Sequence, residues 1–340
     1  MRPARVGVAA SAPEVSDLAD PATYAAYAGA RECGEEAVDA LRRTGHDAFL
    51  VLVRADARRA VAELRERGAS VVVNLVEELS GRAEGEIDFA ERLEEAGLPF
   101  TGSRANVLRL TLDKAEAKRA LAARGVPTPR WTAIPESDLA AAAAWSIFPA
   151  IVKPSREDGS LGIDRESVCD GASALLDRVA RVHGTFRQPA LVEEYVEGRE
   201  LNVAMLEGAA LPIAEIEFGE SDGPKIVTFA AKWSSGSEDD LATRPVCPAR
   251  IPHDLEARVR EMAGRVFQGL GIRDYGRVDV RVDADGHPFV LEANANPDLS
   301  ASAGFARSAR VAGIDATRLW AHLVQLALTR AAAPAAAGCA

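Results

Sequence analysis

The stretch that decides the fold lies near the C-terminal end of the chain, where residues 277–297 read RVDVRVDADGHPFVLEANANP. Valines alternate with polar residues over 278–282, the period of two that is typical of a β-strand. The Asp285-Gly286 pair predicts a turn, and an apolar return strand follows it. The sequence therefore predicts an antiparallel hairpin.

The predicted hairpin brings acidic and amide side chains together. If the strands pair across the turn, Asp279 lies opposite Glu292, and Asn294 points the same way two residues on. Three hard oxygen ligands on one face suit Mg²⁺, with the guanidinium of Arg277 beside them. The alternative is a surface hairpin with solvated acids. Apolar neighbours of Glu292 argue against it, because a buried carboxylate is costly unless it is paired or binds a metal.

Composition indicates an ordinary globular protein. The 340 residues are 48% hydrophobic and 27% charged, enough for two or three domains. A net charge of −11, with both signs mixed along the chain, argues against a nucleic-acid partner. No apolar run reaches the length of a membrane span, and the four cysteines are far apart. We therefore expect a reduced, cytoplasmic protein without a membrane partner.

The order of elements predicts an α/β fold. Short apolar strands alternate with helical patterns through the first hundred residues, which indicates a Rossmann-like parallel sheet. The remaining elements predict an α+β arrangement. The predicted divisions are an N-terminal domain at 1–103, a central domain with a phosphate loop at 104–187, a C-terminal domain with the metal site at 188–330, and a disordered tail at 331–340.

A possible phosphate-binding loop follows the strand that ends at Lys153. Residues 155–162 contain two glycines and two serines, and backbone N–H groups in such a loop can cradle phosphate oxygens. The lysine precedes the glycines, so the spacing is not that of a Walker motif. Taken alone the signal is weak, because most Gly-Ser loops are simply turns.

These motifs in their order resemble the ATP-grasp superfamily, and within it the D-alanine:D-alanine ligase branch. The resemblance covers about residues 71–320 and implies a three-domain ATP-grasp fold. The matching positions in chain order are Asp113-Lys114, Lys153-Pro154 with its loop, Glu193 to Val196, Glu200, Lys232, Arg277 to Asp279, and Glu292 to Asn294.

The resemblance implies which residues bind the phosphates of ATP. Lys114 and Lys153 match the lysines that hold the nucleotide phosphates, and Gly159 and Ser160 lie in the phosphate loop. Lys232 matches a loop lysine that reaches the γ-phosphate and acts in catalysis.

The resemblance also implies the nucleoside contacts. Glu193 matches the acid that accepts from the adenine amino group, with the backbone of Tyr195 and Val196 at the adenine edge. Glu200 matches the acid on the ribose hydroxyls, and Leu291 matches an apolar wall under the adenine.

The hairpin residues take metal-binding and catalytic roles in this comparison. Asp279, Glu292 and Asn294 match the ligands of Mg²⁺, with two ions expected, and Arg277 matches the arginine that stabilises the acyl-phosphate and the tetrahedral intermediate. The implied chemistry is attack of a substrate carboxylate on the γ-phosphate of ATP, followed by attack of an amine. The implied partners are therefore small-molecule carboxylates and amines, and we expect a homodimer.

The sequence departs from this family in the residues that close over the first amino acid. The family's serine in the phosphate loop is replaced by Gly159, and the tyrosine after the loop lysine by Trp233. The family's N-terminal glutamate has a tentative match in Glu14, and its histidine-glycine pair is replaced by Val76-Glu77.

The second amino-acid site is altered as well. Asp298 replaces the glycine whose N–H helps to bind the oxyanion. The serine that binds the second carboxylate falls at Ala303, with Ser300 and Ser302 nearby. Asp298 and Glu77 would repel a carboxylate and attract an amine.

We therefore predict an ATP-dependent carboxylate–amine ligase that joins a pair other than two D-alanines, in secondary metabolism. Two alternatives remain open at this point. One is a D-alanine:D-alanine ligase of peptidoglycan synthesis with a divergent site. The other is a nucleotide-binding or phosphotransfer protein on the same fold, which the full set of metal ligands together with Arg277 argues against.

Overall fold

The computed structural model describes residues 3–13, 21–219 and 223–332, with the backbone alone for 21–28. The chain divides into two compact units. Unit 1 comprises the described residues within 1–108, 272–275 and 295–340, and unit 2 comprises those within 109–271 and 276–294.

The strands of the described residues follow the short apolar runs of the sequence. In chain order they are β1 Arg5–Ser11, β2 Asp47–Val53, β3 Val71–Leu75, β4 Trp131–Ile134, β5 Ala150–Pro154, β6 Val168–Cys169, β7 Ala190–Glu194, β8 Arg199–Leu206, β9 Ala209–Ala210, β10 Ala214–Phe218, β11 Thr243–Val246, β12 Tyr275–Val282 and β13 Pro288–Asn294.

The longer helices of the described residues bury an apolar face, whereas the short helices Phe229–Trp233 and Glu238–Leu241 contain no buried residue. In chain order they are α1 Pro21–Arg43, α2 Ala57–Glu66, α3 Gly85–Glu95, α4 Ala105–Leu112, α5 Lys114–Ala122, α6 Ala172–Phe186, α7 Phe229–Trp233, α8 Glu238–Leu241, α9 His253–Leu270, α10 Gly304–Val311 and α11 Ala316–Ala332.

Unit 1 contains the predicted parallel sheet. Its strands lie in the order β2-β1-β3, and β1 pairs in parallel with both neighbours. Every residue of β3 is buried, as expected for a strand of a parallel sheet that is covered on both faces. Helices α1 and α11 pack together beside this sheet. The predicted α/β fold class is confirmed.

Unit 2 contains two antiparallel sheets. The smaller has the order β4-β7-β5-β6, and the larger has the order β11-β10-β8-β12-β13 with β9 paired to β8. Helix α6 covers the smaller sheet, and its apolar face supplies Leu175, Val179 and Val182 to a core that also contains Val152 and Val192. Helix α9 packs against β8 and β13 of the larger sheet.

The hairpin of β12 and β13 has the predicted partners but a different turn. Asp279 lies opposite Glu292, as the sequence predicts. Near the tip, however, Val282 pairs with Pro288, so that residues 283–287 form the connection. A β-bulge compensates for the longer connection, because the chain passes from the Val280–Val290 pair to the Asp279–Glu292 pair and leaves Leu291 without a partner.

The bulge decides where Glu292 points. Side chains alternate along a strand, so a shift of one residue moves every side chain beyond it to the opposite face. If Leu291 were paired with Asp279 in a regular ladder, Glu292 would point to the opposite face of the sheet. The bulge therefore creates the cross-strand pair of carboxylates.

The alanine-rich run Leu139–Ala144 forms a 3₁₀ helix, as suits so short a segment. Residues 331–332 of the predicted disordered tail continue helix α11, and 333–340 lie outside the described residues. Over the described parts of the chain, every helix is too short or too polar to span a bilayer.

Candidate active site

One face of the larger sheet in unit 2 carries a row of polar and charged side chains. Residues two apart in a strand share a face, so three neighbouring strands each contribute to the row. The members are Glu200 and Asn202 on β8, Arg277, Asp279 and Arg281 on β12, and Glu292 and Asn294 on β13.

Asp279 is held by two neighbours in this row. The guanidinium of Arg277 donates from Nε to Oδ1 and from Nη2 to Oδ2, each at 2.8 Å. The amide of Asn202 donates to Oδ1 at 2.8 Å. A carboxylate oxygen has two lone pairs, so these bonds saturate Oδ1 and engage one lone pair of Oδ2. The other lone pair of Oδ2 can serve a metal ion, and the residues fit a Mg²⁺ site in this respect.

The carboxyl group of Glu292 has a pKa well below the usual range of a glutamate. Burial by itself raises its pKa, but Lys114, Lys153, Lys232 and Arg277 outweigh burial and lower the pKa to about 2. The nearest ammonium is that of Lys114, whose Nζ lies 3.9 Å from Oε2. Glu292 therefore presents a charged oxygen ligand among four cations, which is the arrangement expected where metal and phosphates meet.

Lys114 is positioned by the start of α5. Asp113 caps this helix by accepting from the N–H groups of Ala115 and Glu116 at 3.1 Å. The N–H of Lys114 donates to the carbonyl of Ser155 at 3.0 Å. The cap thus fixes the lysine against the loop that follows β5.

That loop lines a pocket with Lys114 and Glu292. Gly159 and Ser160 both adopt left-handed backbone conformations, with φ of 63° and 62°. The pocket is lined by Lys114, Lys153, Pro154, Glu157, Asp158, Gly159, Ser160, Leu161, Ile163 and Glu292. The structure therefore brings the predicted phosphate loop and two predicted lysines to the predicted metal ligand.

A buried triad of charges lies behind this pocket. Both Lys118 Nζ and Lys153 Nζ lie 2.5 Å from Glu193, one on each carboxylate oxygen. All three side chains are less than a tenth exposed. Burial raises the pKa of Glu193, but the two ammonium groups lower it more strongly, so the acid is charged. With both lysines protonated the triad carries one excess positive charge, which suits an anionic ligand nearby; burial opposes that charge by lowering the pKa of Lys118.

The charges of this triad predict that substitutions of its members will lower the free energy of unfolding by different amounts. Glu193→Gln leaves two buried ammonium groups uncompensated and should lower the free energy of unfolding by roughly 3–5 kcal/mol. Lys118→Met leaves a neutral Lys153–Glu193 pair and should cost only roughly 1–3 kcal/mol. Chemical denaturation followed by circular dichroism measures both. Glu194→Gln is the control, since its partner Arg130 is mostly exposed, and it should cost below about 1 kcal/mol. A larger loss for Lys118→Met than for Glu193→Gln would contradict the charge argument.

The residues that are predicted to bind the nucleoside also lie in unit 2. The N–H of Tyr195 donates to the carbonyl of Pro149 at 3.0 Å, and Val196 follows β7. Glu200 is 9% exposed; burial raises its pKa, and Arg281 is the strongest influence lowering it. Leu291, the predicted wall under the adenine, is the unpaired residue of the bulge.

Helix α7 carries Lys232 and Trp233 and contacts the phosphate loop. The indole Nε1 of Trp233 donates to the carbonyl of Gly159 at 3.0 Å. The N–H of Phe229 donates to the carbonyl of Ile163 at 2.9 Å. A Cβ on Gly159 would come to 3.5 Å from the indole, so the ring already fills the space beside this glycine. The two positions that depart from the family pattern are thus in direct contact.

Four of the predicted substrate residues, Glu77, Asp298, Ser300 and Ser302, lie in unit 1. Burial raises the pKa of the Cys33 thiol, and the carboxylates of Asp298 and Glu77 raise it further, so both acids lie near one buried side chain. Asp298 accepts from the N–H of Ser300 at 2.7 Å, and the Ser300 and Ser302 hydroxyls lie 3.4 Å apart.

Glu14 lies outside the described residues.

Sequence reasoning missed a buried network that ties these substrate loops together. Asn296 donates to the carbonyl of Val76 at 3.0 Å and accepts from the hydroxyl of Tyr275 at 2.9 Å. The loop of Glu77 is thereby fixed to the loop of Asp298.

Residues near the phosphates were missed too. Lys118 follows Lys114 by four positions and therefore shares its helix face, which is the one signal for it in the sequence. Asp158 adds a carboxylate to the pocket.

Comparison with known proteins agrees with this geometry. Residues 121–325 match the family model described as "D-ala D-ala ligase C-terminus". A protein of Sinorhizobium fredii described as uncharacterized is 34% identical over 295 residues, 82% of each chain. A protein of Anaeromyxobacter described as D-alanine–D-alanine ligase is 34% identical over 272 residues, 79% of this chain and 82% of its own. The crystal structure of D-alanine–D-alanine ligase from Bacillus anthracis complexed with ATP superposes with a TM-score of 0.76 at 20% identity, covering 96% of this chain and 98% of that one.

The fold is that of the ATP-grasp enzymes. The chain belongs to the D-alanine–D-alanine ligase family. It is accordingly an ATP-dependent ligase that forms a carbon–nitrogen bond.

Proposed function

We propose that the protein uses ATP and Mg²⁺ to convert a carboxylate into an acyl phosphate, joins that acyl group to an amine, and does not use D-alanine as its preferred substrate. The observation that carries the proposal is the contact of Trp233 with Gly159. This contact stands where the family has a tyrosine and a serine, and it adjoins the loop that is predicted to bind the phosphates of ATP.

The nucleotide half of the proposal rests on charge. Lys114, Lys153 and Lys232 supply ammonium groups for the phosphates, and all three act on Glu292. Mg²⁺, held by Oδ2 of Asp279 with Glu292 and Asn294, would neutralise phosphate oxygens. Arg277 lies beside these ligands and can stabilise negative charge that develops on the transferred phosphoryl and acyl oxygens.

The amino-acid half rests on the altered side chains. A tyrosine hydroxyl and a serine hydroxyl are replaced by an indole that donates to a backbone carbonyl, which leaves no side-chain hydroxyl in this contact. Trp233 is 38% exposed and offers an apolar wall to a larger substrate. In unit 1, Asp298 and Glu77 present negative charge where a second D-alanine would need a partner for its carboxylate. These features support an amine acceptor that is larger than alanine or lacks a free carboxylate.

A second candidate function is supported by the comparisons. Relatives described as D-alanine–D-alanine ligase are 34% and 32% identical to this chain. Under this alternative, backbone N–H groups make the hydrogen bonds for which the family uses the tyrosine and serine hydroxyls.

An ADP-release assay across carboxylate and amine pairs decides between the two candidates. We expect D-alanine alone to give a kcat/KM at least about tenfold below the best pair, because unpaired charges of a buried zwitterion cost about 2–5 kcal/mol. The product mass of each hit identifies the bond formed. L-alanine serves as the matched control for stereochemistry, and Glu292→Gln measures the background of ATP hydrolysis. Saturable turnover to D-alanyl-D-alanine that exceeds all other pairs would establish the alternative.

A further inference from the structure

Arg281 is a buried guanidinium with partners in two separate segments. It is 3% exposed and lies on β12 two residues after Asp279. Its Nη2 lies 3.5 Å from Oε2 of Glu200 and donates to the carbonyl of Lys225 at 2.5 Å. Its Nη1 donates to the carbonyl of Gly198 at 3.2 Å. One side chain therefore links the acid on β8 with two loop carbonyls.

Two aromatic rings complete the surroundings of Arg281. The centre of its guanidinium lies 5.7 Å from the ring centroids of both Tyr195 and Phe218. The N–H of Lys225 also donates to the hydroxyl of Tyr195 at 2.9 Å. Cation–π contacts of this kind favour a guanidinium over an apolar side chain at the same place.

The close approach of the chain at Gly198 shows that this arrangement is built into the backbone. Gly198 has a φ of 147°, and a Cβ there would come within 2.0 Å of the carbonyl oxygen of Val282. Only glycine lets the loop before β8 come this close to β12. The carbonyl of Gly198 therefore lies within hydrogen-bond distance of Arg281. Glu200, two residues further along the chain, lies beside the same guanidinium.

The partners of Arg281 are those expected to surround the nucleoside. Tyr195 lies at the predicted adenine edge, Glu200 is the predicted acid for the ribose hydroxyls, and Lys225 lies seven positions before Lys232. An ionised carboxylate accepts from hydroxyl groups, and a neighbouring guanidinium keeps it ionised and fixes its direction. Burial opposes ionisation of Glu200, and Arg281 is the strongest group that favours it.

We propose that Arg281 is a positioning residue that orients Glu200 toward the ribose hydroxyls and fixes the segment leading to Lys232 against it. The inference rests on the proposed binding of ATP in unit 2. It makes selection for a ribose, rather than a deoxyribose, depend on a residue that does not itself touch the sugar.

Nucleotide binding, measured by calorimetry without substrates, tests the proposal. The ligands are ATP, 2′-deoxy-ATP and 3′-deoxy-ATP. The wild type should bind ATP about tenfold or more tightly than at least one deoxy analogue, as expected for a hydrogen bond to a charged group. Arg281→Met should reduce this preference to about twofold or less. Arg281→Lys should restore part of it, because an ammonium can still pair with Glu200 but cannot hold both carbonyls at once.

Arg199→Met is the matched control. Arg199 lies next to Glu200 on β8, but its guanidinium binds Glu215 at 2.6 and 2.7 Å and the carbonyl of Arg250 at 2.8 Å. The Arg199→Met protein should be less stable than the wild type but should keep the wild-type preference for ATP over the deoxy analogues. Thermal unfolding shows whether each variant is folded, and if Arg281→Met is not, the Arg281→Lys protein supplies the answer.

The second readout is hydrogen exchange of residues 223–233. Arg281→Lys should exchange faster there than the wild type, even where its ribose preference recovers. An unchanged preference in both Arg281 variants, with ATP still bound, would overturn the inference and leave the proposed function standing. Absence of ATP binding by the wild type would instead overturn the proposed function.

Discussion

Replacing Glu292 with glutamine should lower the rate of ATP-dependent ADP release by at least about 10²–10³-fold, the usual cost of losing an electrostatic contact to a developing charge. Glutamine keeps the shape of the side chain but removes the charge that balances Lys114, Lys153, Lys232 and Arg277. The Mg²⁺ concentration needed for half-maximal activity should rise as well, because an amide is a poorer ligand for a hard cation.

The effect of pH separates this prediction from a general loss of structure. The folded pKa of Glu292, at about 2, is below that of an ordinary glutamate, so its charge stabilises the protein above the unfolded pKa, and that stability is lost only as the pH falls toward 2. Between pH 6 and 9 the Glu292→Gln protein should therefore show a constant stability difference from the wild type. Glu217→Gln, on β10 of the same sheet beside Arg244, should keep normal turnover. Turnover by Glu292→Gln within threefold of the wild type would refute the metal assignment.

Replacing Arg277 with methionine should have a comparably large effect with a different signature. We expect kcat to fall by about 10²–10³-fold while the KM for ATP changes little, because the guanidinium is proposed to act on charge that develops in the transition state. The Mg²⁺ concentration needed for half-maximal activity should not rise. Arg277 now occupies both oxygens of Asp279, and its removal frees lone pairs for the metal.

Steady-state kinetics at varied Mg²⁺ concentration checks this prediction. Arg244→Met is the control, since Arg244 pairs with Glu217 at the exposed edge of the sheet. A higher Mg²⁺ requirement together with an unchanged kcat would show that Arg277 supports the metal site rather than the transition state.

Much of the hairpin could be predicted from the sequence, because alternation and a turn signal fix which residues share a face. The Asp279–Glu292 pair follows from that reasoning and is confirmed. The bulge could not be predicted. The longer turn shifts the pairing by one residue, and the unpaired Leu291 shifts it back, so Asp279 still lies opposite Glu292. Neither the longer turn nor the bulge has a local signal in the sequence.

Other residues of the candidate site could not be predicted from the sequence, for a different reason. A lysine four positions after another lysine is common on exposed helices, so nothing local marks Lys118 as buried against Glu193. The contacts of Arg281 join β12 to loops more than fifty positions away in sequence. Burial and partner choice for such residues are tertiary properties, and local propensity carries no information on them.

The bulge at Leu291 also separates the tip of the hairpin from the carboxylates. The Asp279–Glu292 pair lies on the far side of the bulge from the connection at 283–287, and the tip residues Asp285 and His287 are exposed. A change in loop length at the tip therefore need not propagate to the active site. This makes the tip a natural place for an insertion, such as an epitope or a fluorescent label, that reports on the enzyme without disturbing its chemistry. A slip of one residue that paired Leu291 with Asp279, by contrast, would turn one carboxylate away from the other with no change in composition at the site.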